Sequence, residues 1–344
     1  MLKFLVFSDL HYKKMMYAAS VHDMQTILDR AAKEKVDFIV HGGDLCNDYI
    51  GSPELIRTLM DNKYGLPVYG VFGNHELESE NNTLEVVKTM LSNREITYGA
   101  KGGAYWHKDI GSYRLIGLDT NFSYSEKLGG WEHNRTASWG APAGNLYSDS
   151  LGPDQLAWLE ETVASAAQKG LKAIVVSHAG LSGAWKGMNH AAHKELVQAS
   201  PDAAKVREIF AKYTGTVLMS INGHYHTDHF AVNDGIAYFD VNTVQNGCWE
   251  LREEQHYASE HTFVFTDYDG EGNMLGTREV MLNDLVQATN TWFFDKPLSA
   301  VVTLDDDGTL TIDGAQTSWR YDVKPDRNYD GMKPEIPSHK VKLW

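Results

Sequence analysis

The sequence predicts an α/β protein built on parallel strands, and three observations carry that expectation. Short apolar runs bounded by polar residues recur through the first two thirds of the chain. Helical stripes stand between them, and strand-helix-strand repetition implies a parallel sheet with right-handed crossovers. After about residue 230 the pattern changes to strands joined by turn signals.

The elements read in order as follows. "KFLVFSD" is a short buried strand. "SVHDMQTILDRAAKEKV" sets Val21, Met24, Ile27, Leu28 and Ala31 on one helical stripe. "DFIVHGGD" is a second strand, "PELIRTLMDNKYG" a second helix and "PVYGVFGNH" a third strand. "GSYRLIGLDT" is a further strand. "GPDQLAWLEETVASAAQKG" is a helix with Pro153 near its start and Gly170 after its end. "LKAIVVSHAG" and "TVLMSINGHYH" are two more buried strands. Beyond them come "GIAYFDVNT", "HTFVFTDYD" and "NMLGTREVML", and a hairpin, "AVVTLDDDGTLTIDG", turning at Asp307-Gly308. The tail from Tyr321 is polar, holds three prolines and is expected to wrap the surface. Residues 119–152 are the least regular stretch, and a long irregular insertion in a compact domain is more often functional than not.

Composition narrows the function. With 46 acidic against 31 basic residues and a net charge of -15, the chain offers no basic track for nucleic acid. An anionic substrate remains open, because a bound metal reverses the local field. Two cysteines, Cys46 and Cys248, imply no disulfide framework. No apolar run reaches the length of a membrane span, and "MLKFLVF" reads as a strand rather than a secretory segment. The expected location is cytoplasmic, although a signal peptide already removed would leave no trace.

The chemistry lies at the strand ends. "SDLH" supplies Asp9 and His11, "HGGDLCN" Asp44, "GNHE" Asn74 and His75, "VSHAG" His178, and "NGHYH" His224 and His226. In an open parallel sheet such residues gather beyond the carboxyl ends of the strands. Side chains at i and i+2 of an extended segment share a face, which would aim Asp9 with His11 and His224 with His226. Glycines 42, 43, 73 and 223 permit close backbone approach beside them. Any one of these residues is more often packed core or a turn than a ligand. Five successive strand ends carrying them argue otherwise. Carboxylate, imidazole and amide donors without thiolate suit Mn, Fe or Zn, and about seven are too many for one ion but fit two.

The ordered series "DLH", "GGDLCN", "GNHE", "SH" and "GHYH", over roughly residues 4 to 242, resembles the calcineurin-like metallophosphoesterase superfamily. The resemblance implies an αββα sandwich of two mixed β-sheets flanked by helices, with a C-terminal β-hairpin extension. It implies a catalytic domain at 1–285, with substrate-side insertions at 119–152 and 179–200. Residues 286–344 would pack on the same domain. The strands after residue 230 would fall largely in the second sheet. Asp9, His11, Asp44 and His226 would hold one metal. Asp44, Asn74, His178 and His224 would hold the other, with Asp44 as the bridge. His75 would protonate the leaving oxygen as a metal-bridging hydroxide attacks phosphorus, and Glu76 would support the site or start a helix. Many members carry Asp three positions after the bridging Asp, to orient the catalytic His; here Asn47 stands there. Purple acid phosphatases have a Tyr ligand after that Asp, and "GDLCND" has none, which argues against that branch.

Substrate choice is expected from the insertions. Arg135, Trp139, Lys186, His190 and Trp249 are candidate contacts, each weighed against plain packing. The expected activity is hydrolysis of a small soluble organophosphate: a nucleotide, a cyclic nucleotide or a nucleoside-diphosphate derivative. A nuclease or protein phosphatase of the same superfamily and a non-catalytic scaffold are the alternatives. No membrane partner is expected, and the sequence does not give the oligomeric state.

Overall fold

The computed structural model describes residues 1–11, 20–46, 53–77, 83–99, 103–125, 129–133, 150–182, 200, 202–244, 246–247, 262–268, 274–281, 292–319 and 333–344. Two sheets dominate. The first runs, edge to edge, His339–Lys342, Thr309–Asp313, Ala300–Leu304, Leu2–Phe7, Phe38–His41 and Val68–Gly70. The second runs His229–Asn233, Ile236–Asp240, Val217–Asn222, Lys172–Val176, Tyr113–Gly117, Trp106–Ile110 and Thr97–Tyr98. Both are mixed: Leu2–Phe7 pairs parallel with Phe38–His41 and antiparallel with Ala300–Leu304.

Alternation along the strands builds three cores. Phe4, Val6, Phe38 and Val40 from the first sheet meet Ile174, Val176, Met219, Ile221, Ala237 and Phe239 from the second in one central cluster. The opposite faces point outward to helices. Leu5, Phe7 and Ile39 pack with Met24, Ile27 and Leu28 of helix Ser20–Lys33 and with Leu55 and Leu59 of helix Pro53–Met60. Ala173, Val175 and Tyr238 pack with Leu159 and Val163 of helix Gly152–Gln168 and with Val206 and Phe210 of helix Ala203–Lys212. The layers are therefore helix, sheet, sheet, helix. Burial of each large side chain is worth about 1.5–3 kcal/mol. Trp106 crosses the central layer, its Nε1 donating to the Gly70 carbonyl at 3.0 Å.

Several expectations need correction. The strands of the first two thirds do not form one parallel sheet: those ending near residues 7, 41 and 70 lie in the first sheet, and those ending near 117, 176 and 222 in the second. Every inner strand is covered on both faces, so all read alike as apolar runs. Nor do the strands after residue 230 fall largely in the second sheet. The hairpin Ala300–Leu304/Thr309–Asp313 lies beside Leu2–Phe7, and tail strand His339–Lys342 joins its edge. Within 119–152, Phe122–Ser125 and Gly130–His133 form an antiparallel hairpin rather than irregular chain. Helix Ala203–Lys212 and strands Trp106–Ile110 and His229–Asn233 are additional to those expected.

Candidate metal centre

The site is assembled at the rim where the two sheets meet. The loop after Leu2–Phe7 binds the loop after Phe38–His41: Asp9 N donates to Gly43 O at 3.0 Å and His11 N to Asp44 O at 2.8 Å. The loop after Val217–Asn222 closes on both sheets. Gly223 N donates to His178 O at 3.1 Å, and His224 N reaches the Asp9 carboxylate at 3.0 and 3.1 Å. Thr243 fixes Asp9 from behind, its Oγ1 donating to Asp9 O at 2.6 Å.

All eight predicted ligand and acid residues within the described chain converge here. Asp9, His11 and His226 form one group of buried donors, with His11 Nε2 2.8 Å from His226 Nε2 and His226 Nε2 3.4 Å from Asp9 Oδ1. Asp44, His178 and His224 form another, with His178 Nε2 3.1 Å from both Asp44 Oδ2 and His224 Nδ1. Asn74 Oδ1 joins that group at 3.2 Å from His178 Nε2. Asp44 Oδ2 also lies 3.7 Å from His11 Nε2 and 4.0 Å from His75 Nε2. The Asp44 carboxylate thus stands between the two groups, and its Oδ1 accepts the His75 N–H at 2.9 Å.

The pairs Asp9/His11 and His224/His226 converge by a different route from the extended alternation expected of them. Asp9, His11, Asp44, His224 and His226 all have positive φ, from 50° to 74°. Left-handed backbone is uncommon and costly outside glycine, and clusters at functional sites. Successive left-handed turns, not strand pleats, aim these side chains inward. Gly223 shows how tight the turn is: a Cβ there would lie 1.9 Å from Ser8 Oγ.

The electrostatics of these donors suits a bound cation. Burial works against charge on Asp9 and Asp44, yet neighbouring imidazoles hold both carboxyls below their ordinary range. Burial pushes His11 and His224 down to about 3, leaving them neutral with lone pairs available. Burial opposes charge on His178 too, but Asp44 outweighs it and pushes the imidazole up to about 10. His178 Nδ1 faces Gly42 O at 2.8 Å, which turns Nε2 towards Asp44 and Asn74.

Glu76 has a role that its sequence position only hinted at. It is the middle residue of the 3-10 turn His75–Leu77 and is buried, with its carboxylate facing main-chain N–H groups of both the Asp44 and the Gly73 loops. Burial first, then Asp44, pushes it up to about 7. Asn47, Arg135, Trp139, Lys186, His190 and Trp249 lie outside the described residues.

The profile of the calcineurin-like phosphoesterase family matches residues 2–228. The chain belongs to that family. The family is one of phosphoesterases and generally uses two divalent metals. A sphingomyelinase phosphodiesterase C from Dictyostelium discoideum is 26% identical over 223 residues, covering 58% of this chain and 44% of the relative. The chain therefore spans less than half the length of that curated relative. Among solved structures, a dimetal phosphatase from Danio rerio superposes with a TM-score of 0.59 at 13% identity, covering 100% of this chain and 99% of that one. It supports the shared fold. No helix among the described residues is long and apolar enough to cross a membrane.

Proposed function

We propose that the phosphoesterase works with two divalent cations on a small organophosphate. Asp9, His11, Asp44 and His226 would hold one cation and Asp44, Asn74, His178 and His224 the other, with Asp44 shared. The observation that carries this is the Asp44 carboxylate, flanked by one donor group on each side. The donors are oxygen and imidazole nitrogen without thiolate, the set for Mn, Fe or Zn. Bound there, two cations supply Lewis acidity and a water acidified towards neutrality.

The protein's own groups do the rest. His75 is not needed as a ligand in this division. Its Nε2 faces the site beside Asp44, and its ring meets His11 edge-on at 4.7 Å. From there it contacts the phosphate and gives a proton to the leaving oxygen. Asn47 is assigned to orient that imidazole. The hairpin after Asn121 supports a substrate side for 119–152. Asn121 Nδ2 donates to Phe72 O at 3.3 Å, beside the Asn74 loop, and Tyr124 and Trp131 stand exposed with rings 6.0 Å apart. The phosphodiesterase relative favours diesters among the substrates. The remaining insertion residues named above, Arg135 and Trp139 among them, are assigned to the same side.

The test is a panel of phosphomonoesters, diesters and pyrophosphates assayed with Mn2+, together with metal analysis. Two ions per chain and turnover of at least one small class are expected. A fully loaded protein that turns over none would sink the reading.

A further inference from the structure

We propose that Glu76 is the positioning residue of the metal centre, a buried carboxyl group that fixes the Asp44 loop against the Asn74–His75 loop. The inference rests on the dinuclear reading above. Glu76 is only 1% exposed. Its Oε2 accepts the Gly73 N–H at 2.6 Å and the Asp44 N–H at 3.0 Å, and its Oε1 accepts the Cys46 N–H at 3.1 Å. One carboxylate therefore gathers three main-chain donors from two loops that leave different strands, Phe38–His41 and Val68–Gly70.

The arrangement answers a specific need. Asp44 holds a left-handed φ of 50°, a conformation that persists only where the surroundings over-determine it. Its own N–H and that of Cys46 flank this turn and converge on one carboxyl group, the concave arrangement of amides that binds negative charge. The effect passes from Glu76 through the Asp44 backbone to the shared carboxylate, and from Asp44 Oδ1 to the His75 N–H at 2.9 Å. Glu76 thereby sets ligand geometry from behind the ligands. A carboxamide of the same size cannot replace it, because an amide NH2 would be turned onto main-chain N–H groups.

The experiment titrates Mn2+ into metal-free wild-type, Glu76→Gln and Glu76→Asp proteins by calorimetry and records melting temperatures with and without Mn2+. Wild type should take up two ions. Glu76→Gln should bind them at least about tenfold more weakly. Its metal-free melting point should fall as those buried bonds are lost, and the rise on adding Mn2+ should shrink as well. Glu76→Asp keeps the carboxyl group but withdraws it by one methylene, and its affinity should fall between the two. If Glu76→Gln does not fold, Glu76→Asp is read against wild type alone, with a loss of at least about threefold expected. Wild-type affinity in the variant read would overturn the proposal. So would equal destabilisation of the metal-free and loaded forms, the mark of a merely structural residue. A wild type that fails to bind two ions would instead overturn the dinuclear reading.

Discussion

Replacing Gly73 by alanine tests the site with a single added methyl group. A Cβ at this position would lie 2.0 Å from Asp44 Oδ1 and 2.6 Å from both Asp44 Cγ and His178 Cε1. Ordinary contacts begin at 3.4 Å, so the shared carboxylate has to withdraw by 1.4 Å or the His75 loop has to lift. Metal sites tolerate errors of roughly 0.2 Å in ligand distance, several times less than this shift. A misplacement of about 1 Å commonly costs on the order of 10²-fold in rate. Gly73→Ala should therefore lower kcat/KM for bis(p-nitrophenyl) phosphate or p-nitrophenyl phosphate by at least about 10²-fold at saturating Mn2+. Metal content after gel filtration should fall with it. Overpacking one buried methyl costs about 1–3 kcal/mol, so the variant should still fold. If Gly73→Ala carried two ions and worked within a few-fold of wild type, the assignment of Asp44 and His178 as ligands would be refuted.

Three further outcomes can be measured independently. His75→Ala should retain both ions yet lose roughly 10²–10⁴-fold in turnover, whereas loss of metal would make His75 a ligand. Arg114 is buried and its guanidinium meets Asp109 at 2.6 and 2.8 Å; because that carboxylate is partly hydrated, Arg114→Leu should cost about 2 kcal/mol in urea unfolding, and an unchanged midpoint would refute the pairing. His41 is held neutral by burial, down to about 4 from 6.5, while its Nε2 faces Met90 O. Between those values the unfolded chain binds more protons, so stability falls as pH drops, by about 3 kcal/mol in all. His41→Gln should show a shallower loss between pH 7 and 4.5, and an equally steep one would count against the assignment.

Much of the candidate site was legible because each candidate ligand motif is a short polar break after a buried apolar strand. The motif order alone assembled Asp9, His11, Asp44, Asn74, His75, His178, His224 and His226. Sheet membership was not legible. Strand Leu2–Phe7 buries Phe4 and Val6 on one face and Leu5 and Phe7 on the other, and Lys172–Val176 does the same with Ile174 and Ala173. With both faces apolar, nothing in the period says which sheet a strand joins. Edge strand His229–Asn233 is half exposed and offers only the short apolar run 230–232. Helix Ala203–Lys212 did leave a signal, in the i, i+3, i+4 spacing of Val206, Ile209 and Phe210. The left-handed turns at these residues left only a weak signal: aspartate and histidine are enriched among non-glycine residues at positive φ, yet most of them lie elsewhere.

Those turns explain why the site lies where the sheets meet. Asp9, His11, Asp44 and Asn74 leave strands of the first sheet, and His178, His224 and His226 leave strands of the second. Each donor group therefore mixes residues from both sheets, and neither exists until the sandwich is closed. Bonds between side chain and main chain tie the sheets together here: His224 N to the Asp9 carboxylate, His178 Nδ1 with Gly42 O, and Thr243 Oγ1 to Asp9 O. Closure in turn buries Asp9 and Asp44 close enough for each to act on the other's charge, a cost that any counter-charge between the sheets relieves. A cation held by both sheets opposes their separation, because it binds the closed sandwich and not the open chain. On the proposed assignment, the same seven donors would serve the chemistry and close the seam on which it depends.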